Sequence, residues 1–444
     1  MIKLRKYQND CFKTIIEHFK THDKQLIQLP TGAGKTFIFL HYLKYNSVKS
    51  LIVVPSIELL EQIIHWGKII LNDRSVESYK SGKKADVIVT TAHALNFDKQ
   101  KDRFKDFDHL IIDEAHHAQS KTYQSFIKGL RHNFKLLGCT ATPERNDGKS
   151  LLEIFDTLTF DMNLLDLIKA GELADLIGTR IKTNIKLDGQ VRKGGDIIQK
   201  KLKELDTESR NNIIVKCFED ECQGKKTLIF CVSINQTIAL SNQLRNLGYR
   251  SEFIYGDMTR TMRKEILERF KSGETQVLTN CQLLTEGFDE PTIEALIIGR
   301  PTLSKTLYSQ MIGRGVRKTK DKDVCYVYEL TDNIHDLCNF NVFGSEGQRR
   351  DVDYQPGTRL TDHVKYLESL DSIEVDIQKV RYDIFGNLSD VEGNRLILLK
   401  DIPQTKNQLN LLKHLPFAEE LTHLESAFLI WKNNLRKKYG FNHF

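Results

Sequence analysis

A glycine-rich segment, PTGAGKT, runs from Pro30 to Thr36 directly after an apolar stretch. Glycines let backbone N–H groups close around an anion, and the start of a following helix adds the positive end of its dipole. Lys35 would place its charge at the terminal phosphates, and Thr36 would place its hydroxyl on Mg²⁺. Leu29 stands where the strict pattern has a glycine, so the loop is a variant; the alternative is a structural glycine turn. The residues expected to surround the phosphates are Thr31, Gly32, Ala33, Gly34, Lys35 and Thr36.

Two adjacent carboxylates follow another apolar stretch in IIDEAHH, residues 111–117. Asp113 can hold Mg²⁺, and Glu114 can orient or deprotonate the attacking water. Adjacent carboxylates after a strand are commonly a solvated turn, but the phosphate loop upstream favours the catalytic interpretation. His116 and His117 resemble a metal pair, yet neighbours in a strand or helix do not face one site. We therefore expect His116 to couple the nucleotide cleft to a second lobe.

Two arginines, Arg314 and Arg317, lie three residues apart in QMIGRGVR, residues 310–317. A basic helix face in water is one interpretation, but Gly313 and Gly315 each disfavour an exposed helix by roughly 1 kcal/mol relative to alanine. The glycines would instead allow close approach to a cleft. An arginine supplied from another domain accelerates phosphoryl transfer by roughly 10³- to 10⁵-fold, so both arginines are candidates for this role.

The ordered set of PTGAGKT, DEAHH, CTATPER and QMIGRGVR resembles the motif series of superfamily two helicases. The combination in one order is more specific than any single motif. The resemblance covers about residues 4 to 330 of the chain. It implies a nucleic-acid-dependent ATPase with two RecA-like lobes.

The resemblance also implies individual nucleotide contacts. Arg5 and Gln8, in the opening LRKYQ, correspond to the residues that hold adenine in this superfamily, and Gln8 implies a preference for ATP. The residues implied at the cleft from the second lobe are Gly287, Asp289, Gln310, Arg314 and Arg317. Gln310 and Arg314 would address the γ-phosphate and Arg317 would be the arginine finger, although the two arginines could exchange duties.

The run from Tyr255 to Arg317 is most similar to the RadD-like branch and its relatives, XPB and the motor subunits of restriction enzymes. It resembles the DEAD-box RNA helicases less. Those usually carry S-A-T and H-R-x-G-R where this chain has residues 140–142 and 310–314. The resemblance favours DNA as the partner, with RNA as the alternative.

Three segments resemble the nucleic-acid contact motifs of this superfamily. Pro55 and Ser56 fall where a proline turn after a strand presents backbone N–H groups to phosphate. Thr91 falls in a second contact motif, in which relatives often have glutamine where this chain has His93. Thr279, which precedes TEGFDEP, is implied to face the nucleic acid. Contacts of this kind reach the sugar-phosphate backbone and carry no sequence information.

The elements that must position these residues are strands and helices in alternation. From Gln25 onward short apolar runs alternate with helical patterns, as is typical of strands buried on both faces of a parallel sheet. After Ala170 the chain is polar and lysine-rich, and a second alternating series begins at residue 226. We predict an α/β protein of two RecA-like parallel-sheet lobes in tandem plus a small C-terminal domain, α+β or mostly helical. The predicted divisions are lobe one, 1–170; a bridge, 171–207; lobe two, 208–340; and the C-terminal domain, 341–444.

Composition limits the other classes of protein. Of 444 residues, 40% are apolar and 28% are charged, which is ordinary for a chain that buries sizeable cores. The first ten residues lack the apolar core of a secretory signal and no run reaches the ~20 apolar residues of a membrane span, so we expect an intracellular, cytoplasmic protein. The eight cysteines form no C-x-x-C pair, and Cys217 and Cys222 are expected in the core. A net charge of +6 permits a polyanionic partner without requiring one.

We expect an ATP-dependent DNA helicase or duplex translocase that uses ATP and Mg²⁺ in repair, recombination or phage defence. Its partner would be single-stranded, duplex or branched DNA. We expect no association with a membrane. One alternative is the motor subunit of a restriction or defence complex whose nuclease is a separate polypeptide. Others are an RNA helicase and a nucleotide-switched clamp, although a clamp need not preserve Glu114, Arg314 and Arg317.

Overall fold

In the computed structural model the chain divides into two compact units, Met1–Val364 and Lys365–Phe444. The structure describes residues 2–96, 106–130, 133–141, 151–183, 192–193, 196–284, 288–331, 338, 343 and 356–365. All of these except Lys365 belong to the first unit. Most of the predicted C-terminal domain, 341–444, lies outside the described residues.

The first lobe is built on a parallel sheet of seven described strands. These strands are β1 (Lys24–Gln28), β2 (Ser50–Val54), β3 (Val76–Ser78), β4 (Val87–Thr91), β5 (His109–Asp113), β6 (Lys135–Thr140) and β7 (Thr157–Asp161). Their order across the sheet is β3-β4-β2-β5-β6-β1-β7. β2, β4 and β5 bury every residue, as expected of strands covered on both faces. Because the strands are parallel, the residues that follow them meet at one edge of the sheet.

The described helices of the first lobe alternate with these strands. They are α1 (Lys6–His18), α2 (Lys35–Asn46), α3 (Ile57–Ile70), α4 (Lys121–Lys128) and α5 (Leu164–Lys169). The predicted phosphate loop connects β1 to α2. The hydroxyl of Ser56 caps α3 by accepting a hydrogen bond from the N–H of Leu59 at 3.2 Å.

The second lobe has its own sheet of seven described strands. These are β8 (Asp175–Lys182), β11 (Thr227–Phe230), β12 (Ser251–Tyr255), β13 (Val277–Cys281), β14 (Ala295–Ile298), β15 (Val324–Thr331) and β16 (Thr358–Arg359), while β9 (Arg192–Lys193) and β10 (Asp196–Ile197) form a separate antiparallel ribbon. The order across the sheet is β12-β13-β11-β14-β15-β8-β16. Within this seven-stranded sheet, β16 is the one described strand that pairs antiparallel with its neighbour. The two-lobe α/β prediction is confirmed.

Part of the segment predicted as a bridge belongs to the second sheet. β8 pairs with β15 from Asp175, opposite Val324, to Lys182, opposite Thr331. The predicted bridge over residues 171–207 therefore contains a strand of the second sheet, which the sequence did not indicate. β8 lies next to the edge of the sheet, beside a strand of two residues, so its polar side chains need not be fully buried.

The described helices of the second lobe are short to medium in length. They are α6 (Gln199–Glu204), α7 (Glu208–Cys217), α8 (Ile234–Asn246), α9 (Arg260–Ser272) and α10 (Lys305–Ile312). A π-helical turn, Phe218–Cys222, continues α7. Cys217 and Cys222 are buried in the core and unlinked, as predicted. In the part of the chain that the structure describes, every helix is too short or too polar to cross a membrane.

Candidate active site

The loop between β1 and α2 turns at two glycines in the left-handed region. Gly32 has a φ of 89° and Gly34 a φ of 75°, angles that residues with a side chain rarely adopt. A Cβ on Gly34 would also lie 2.5 Å from Nε2 of Gln8. The local geometry therefore requires both glycines of the predicted phosphate loop.

Gln8 holds this loop from α1. Its Nε2 donates a hydrogen bond to the carbonyl oxygen of Ala33 at 3.0 Å, and the hydroxyl of Tyr7 donates to the same oxygen at 2.7 Å. Oε1 of Gln8 accepts from the N–H of Arg5 at 2.9 Å. The side chain of Arg5 points elsewhere and pairs with Glu172 at 3.2 Å. The structure thus brings Gln8 to the loop, while its role in adenine recognition stays a prediction.

Lys35 and Glu114 face each other at the carboxyl edge of the first sheet. Nζ of Lys35 lies 3.7 Å from Oε1 of Glu114 and donates to the carbonyl oxygen of Leu29 at 3.1 Å. Both side chains are about nine-tenths buried, with 9% and 10% exposed. Glu114 adopts a left-handed backbone with a φ of 51°, a strained conformation for a residue with a side chain. The lysine predicted to meet phosphates and the carboxylate predicted to orient water thus lie in one buried cluster.

His116 extends this cluster toward the end of β6. Its Nδ1 lies 3.4 Å from Oε2 of Glu114 and 3.4 Å from Oγ1 of Thr140. Thr140 begins the threonine-alanine-threonine segment of the third motif. These contacts lie within the first lobe, whereas the sequence predicted that His116 couples to the second.

The cations around Glu114 keep its carboxyl ionised. Burial alone would raise the pKa of Glu114, but Lys35, a hydrogen bond and charge from His116, and Arg314 together lower that pKa to about 2. Arg314 belongs to the second lobe, so its charge reaches the carboxylate across the interface between the lobes. At neutral pH the carboxylate is an acceptor that can orient a water molecule.

Asp113 and Thr36 lie at the same edge of the sheet. Asp113 ends β5 and is buried, and its Oδ1 accepts from the N–H of Glu114 at 3.1 Å. Thr36 lies in the first turn of α2. A carboxylate and a hydroxyl are the oxygen donors that Mg²⁺ prefers, so the donor set fits this ion.

The second lobe packs directly on the phosphate loop. Gly313 ends α10, and a Cβ built on it would lie 2.6 Å from Cβ of Thr31. A Cβ built on Gly32 would lie 3.5 Å from Cγ of Arg317. Gly313 therefore serves close approach to the cleft, as the sequence predicted. Gly315 instead allows close packing inside the second lobe, because a Cβ there would overlap the side chain of Cys325.

The two arginines of this segment have different surroundings. Arg314 is buried and donates a hydrogen bond to the carbonyl oxygen of Phe288. Arg317 forms an ion pair with Asp289, and Oδ2 of Asp289 lies 3.4 Å from Nε2 of Gln62 in α3 of the first lobe. The structure thus brings Asp289 and Arg317 together at the boundary of the lobes. Gly287 lies outside the described residues.

Sequence reasoning missed a set of ion pairs between the lobes. Arg263 of α9 lies 3.3 Å from Glu58 of α3, and Arg260 pairs with Glu61 one turn further along α3. No single motif predicts such contacts, because each side chain sits in its own amphipathic helix and only the tertiary arrangement brings the two helices together.

The predicted strand contacts of the first lobe follow β2 and β4. Pro55 and Ser56 lie in the turn between β2 and α3, and the hydroxyl of Ser56 is used for the helix cap. Thr91 is the last residue of β4 and is buried, whereas His93 in the following turn is exposed. These positions share the carboxyl edge of the sheet, and their contact with nucleic acid stays a prediction.

Thr279 does not lie at the surface in this structure. It is the middle residue of β13 and is completely buried. Its hydroxyl donates to the carbonyl oxygen of Thr237 at 2.8 Å. The structure does not bring Thr279 to the carboxyl edge of the sheet, and its contact with nucleic acid stays a prediction.

A groove of about 860 Å³ runs along the carboxyl edge of the second sheet. It is lined by residues that follow β11, β12 and β13, including Ser233, Asp257 and Gln282. Helix α6, from the predicted bridge, forms one side of the groove through Gln199 and Lys203. This groove is the counterpart, in the second lobe, of the edge that carries Ser56 and Thr91 in the first.

Two family models match the chain in the order of the two lobes. The model of the "Type III restriction enzyme, res subunit" matches residues 1–145. The model of the "Helicase conserved C-terminal domain" matches residues 209–319. Together with the paired sheets and the interlobe cluster, these matches relate the chain to the superfamily two helicases.

Two named relatives show which helicase-like proteins the chain is similar to in sequence. IRC3 of Saccharomyces cerevisiae, whose name carries the term ATP-dependent helicase, is 30% identical over 353 residues, which are 74% of this chain and 51% of IRC3. The DNA 3'-5' translocase XPB2 of Sulfurisphaera tokodaii is 25% identical over 382 residues, which are 76% of this chain and 83% of XPB2. The chain thus spans about half the length of IRC3, and its relatives include XPB-like proteins.

Solved structures share the fold. The Type ISP restriction-modification enzyme LlaBIII bound to DNA matches with a TM-score of 0.59 and 20% identity, over 75% of this chain and 28% of that one. Dbp5 of S. cerevisiae, bound to RNA and ADP BeF3, matches with a TM-score of 0.57 and 16% identity, over 83% of this chain and 93% of that one. The arrangement of two lobes is therefore common to DNA-bound and RNA-bound proteins.

Proposed function

We propose that this chain couples ATP hydrolysis to movement along DNA or to remodelling of DNA. The contact between Thr31 of the phosphate loop and Gly313 of α10 is the observation that carries the proposal. It makes one nucleotide site out of two lobes, so binding and release of nucleotide change how the lobes fit together. Each lobe also presents the carboxyl edge of its sheet, and relative motion of those edges would move a strand held across them.

The chemistry would be phosphoryl transfer to water. Lys35 would leave Glu114 for the terminal phosphates of ATP, and the hydroxyl oxygen of Thr31, which is buried and lacks a hydrogen-bond partner in the structure, could donate to them. Thr36 and Asp113 would hold Mg²⁺, which neutralises the negative charge of the phosphates. Glu114 would then orient the attacking water.

The second lobe would complete the reaction. Arg317 would exchange its ion pair with Asp289 for the γ-phosphate, and Arg314 and Gln310 would support it from α10. Arginines supplied across a domain boundary accelerate such reactions by roughly 10³- to 10⁵-fold. Hydrolysis would therefore require the lobes to be closed.

DNA is the partner that the relatives favour. XPB2 is named a DNA translocase, and LlaBIII is bound to DNA. RNA is the alternative, because "ATP-dependent RNA helicase DBP3" of Gibberella zeae is 25% identical over 352 residues. We propose repair, recombination or defence against phage as the setting.

A second candidate function is the motor subunit of a larger assembly. The chain matches the model of a restriction-enzyme subunit and covers only 28% of LlaBIII. A nuclease partner on a separate polypeptide would fit these observations. Purification from the native host would separate the candidates, since a stoichiometric nuclease supports the assembly and a lone active chain opposes it.

ATP hydrolysis measured with single-stranded DNA, duplex DNA, RNA and no nucleic acid tests the proposal. We expect stimulation by DNA that exceeds stimulation by RNA, with Lys35→Ala as the inactive control. Equal rates with and without every nucleic acid would exclude the proposed function. Strand-displacement assays on forks and overhangs, beside displacement of a protein block from duplex DNA, would then distinguish a helicase from a translocase.

A further inference from the structure

A second, smaller cavity lies at the carboxyl ends of β11, β13 and β14. Its volume is about 220 Å³, and a single water molecule needs only roughly 10–15 Å³ of such space, so the cavity has room for a small polyatomic group. Its lining includes Phe230 at the end of β11 and Cys231 directly after it. Gln282, directly after β13, and Arg300, in the segment after β14, also line it. This cavity is separate from the cluster of Lys35 and Glu114, because every residue in its lining belongs to the second lobe.

This cavity lies at the point where the second sheet reverses its winding. β11 and β14 are neighbours, but the chain crosses from β11 to β12 on one side and from β14 to β15 on the other. The two loops therefore diverge and leave a crevice between them. In open parallel sheets, ligands bind in the crevice at this switch point, beyond the carboxyl ends of the strands.

The cationic group in the cavity is incompletely paired. The side chain of Arg300 is only 7% exposed, and its Nε and Nη1 are buried without a hydrogen-bond partner in the structure. Nη2 lies at a long 3.5 Å from Oδ2 of Asp196. Oδ1 of Asp196 is already occupied by the hydroxyl of Thr302 at 2.9 Å and the N–H of Leu303 at 2.8 Å.

A buried guanidinium with two unused nitrogens is costly unless a ligand completes it. The planar fork of arginine matches the paired oxygens of a phosphate group. Asp196 takes up the remaining side of the fork and would keep Arg300 oriented. The chemistry of the cavity therefore points to an oxyanion.

Gln282 connects this cavity to the larger groove. It lines both spaces and is exposed, and its backbone adopts a φ of 57°, a strained angle for a residue with a side chain. A strand lying in the groove would pass Gln282. One of its phosphates could then enter the cavity beside Arg300.

We propose that the cavity around Arg300 binds one phosphate group, supplied by the backbone of a nucleic-acid strand in the adjacent groove. The source of the phosphate rests on the proposed function, whereas the site rests on the cavity itself. Gln310 also lines the cavity and lies on α10, one helical turn before Arg314. A phosphate bound here touches the helix that directly precedes Arg314 and Arg317, so the site links strand binding to ATP turnover.

Binding of a fluorescent single-stranded oligonucleotide to the full chain, measured by anisotropy at several salt concentrations, tests the strand contact. We expect Arg300→Gln to weaken binding by about ten-fold or more, because a hydrogen-bonded charge pair is lost. The slope of log affinity against log salt should fall by about 0.7, the value for one phosphate of a single strand. Arg250→Gln is the matched control, since Arg250 is exposed at the opposite edge of the same sheet and should leave the slope unchanged.

Arg300→Lys is a second variant in case Arg300→Gln misfolds. It keeps the positive charge and loses the two-pronged guanidinium group. We expect its affinity for the oligonucleotide to lie between that of the wild type and that of Arg300→Gln. A thermal-shift titration of the wild type and Arg300→Gln with inorganic phosphate distinguishes the source, because the phosphate loop is the same in both. Stabilisation of the wild type but not of Arg300→Gln by phosphate, with equal oligonucleotide binding by the two, would overturn the strand as the source and support a free phosphate. The same affinity and slope in all variants, with the same response to phosphate, would overturn the site. Failure of the wild type to bind any nucleic acid would count against the proposed function, while the phosphate titration would still decide on the cavity.

Discussion

At the scale of single residues, the nucleotide site depends on contacts too close for a side chain. Thr31 and Gly313 meet across the interface of the lobes at a distance that leaves no space for a Cβ on the glycine. The second lobe can therefore reach the phosphate loop only because position 313 is glycine. This contact belongs to the closed arrangement of the lobes.

Gly313→Ala should slow ATP hydrolysis strongly. The added Cβ would lie 2.6 Å from Cβ of Thr31, so the end of α10 and the two arginines that follow it must move away from the loop. Misplacement of about 1 Å at a reacting centre costs on the order of 10²-fold in rate. Steady-state phosphate release measures the effect, with Gly129→Ala as the control because a Cβ there meets its nearest atoms at an ordinary 3.4 Å. Equal rates for the two variants would contradict the assignment.

Glu114→Gln should abolish turnover and preserve nucleotide binding. The amide keeps the size of the side chain but is a poorer acceptor for the attacking water, and loss of such a group costs roughly 10²- to 10⁴-fold. Phosphate release and binding of a fluorescent ATP analogue would be measured side by side. Glu17→Gln, on the exposed surface of α1, provides the same chemical change without effect. Normal turnover by Glu114→Gln would mean that another group orients the water.

The turn of the loop at Gly32 and Gly34 could be predicted because the glycines stand close together in the sequence, directly before Lys35. The phosphate-binding role of these residues stays a prediction. Arg300 could not be predicted, since a lone arginine after a strand carries no signal until the fold shows that its nitrogens lack partners. The burial of Thr279 could not be predicted either, because a strand alternates its faces and a shift of one position decides between the core and the groove.

At the scale of elements, the start of β5 is clamped by an aromatic stack. The ring of His109 lies 5.3 Å from that of Tyr42 in α2 and 6.1 Å from that of Phe19 at the end of α1, both nearly parallel. His109 is buried, and its Nδ1 lacks a hydrogen-bond partner in the structure. Burial lowers the pKa of His109 from 6.5 to about 4.

This stack should make the first lobe sensitive to acid. The unfolded chain binds a proton on His109 near pH 6.5 but the folded chain only near pH 4, so its contribution to stability is full above pH 6.5 and is lost as the pH falls toward 4. Between pH 7 and pH 5 the loss is about 2 kcal/mol in the free energy of unfolding. His109→Phe should remove this dependence, whereas the exposed His65→Phe should retain it. Urea unfolding in a Trp431→Phe background, where Trp66 alone reports, would measure the difference; parallel pH profiles for the wild type and His109→Phe would contradict it.

Most strands could be predicted from their apolar runs, and β8 shows why one could not. Apolar runs mark strands that are covered on both faces, such as β2 and β5. β8 carries lysine, arginine and threonine because it lies near the edge of its sheet. Its partner is β15, and a pairing so distant in sequence leaves no local pattern.

At the scale of the whole molecule, the two lobes meet at the nucleotide site and again between α3 and α9. The second interface consists of the ion pairs Arg263–Glu58 and Arg260–Glu61. Both glutamates lie in the helix that Ser56 caps, beside the predicted strand contact. The contact between the lobes and the predicted strand contact at Ser56 are therefore joined by one helix.

Reversal of one charge in this interface should open the lobes. Arg263→Glu and Glu58→Arg should each lower energy transfer between dyes placed on Lys13→Cys and Asn246→Cys, and the double reversal should restore it. The native cysteines are buried, so the added thiols label selectively. An exposed pair contributes roughly 0.2–1 kcal/mol to such an equilibrium. Lys264→Glu, in the same helix but beside Glu268, is the control. A double reversal that stays as open as the single variants would argue against direct pairing.

The insertion of β8 into the second sheet also has a consequence for synthesis on the ribosome. The strands of the first sheet are complete by Asp161, so that lobe can fold while the rest of the chain is being made. β8 is the first described strand of the second sheet to emerge, yet its partner begins 149 positions later, at Val324. Until then β8 presents an unpaired edge, which is a hazard for aggregation in apolar strands. Arg180 and Lys182, the two basic residues of β8, are charges of the kind that protect such an edge from pairing with another chain.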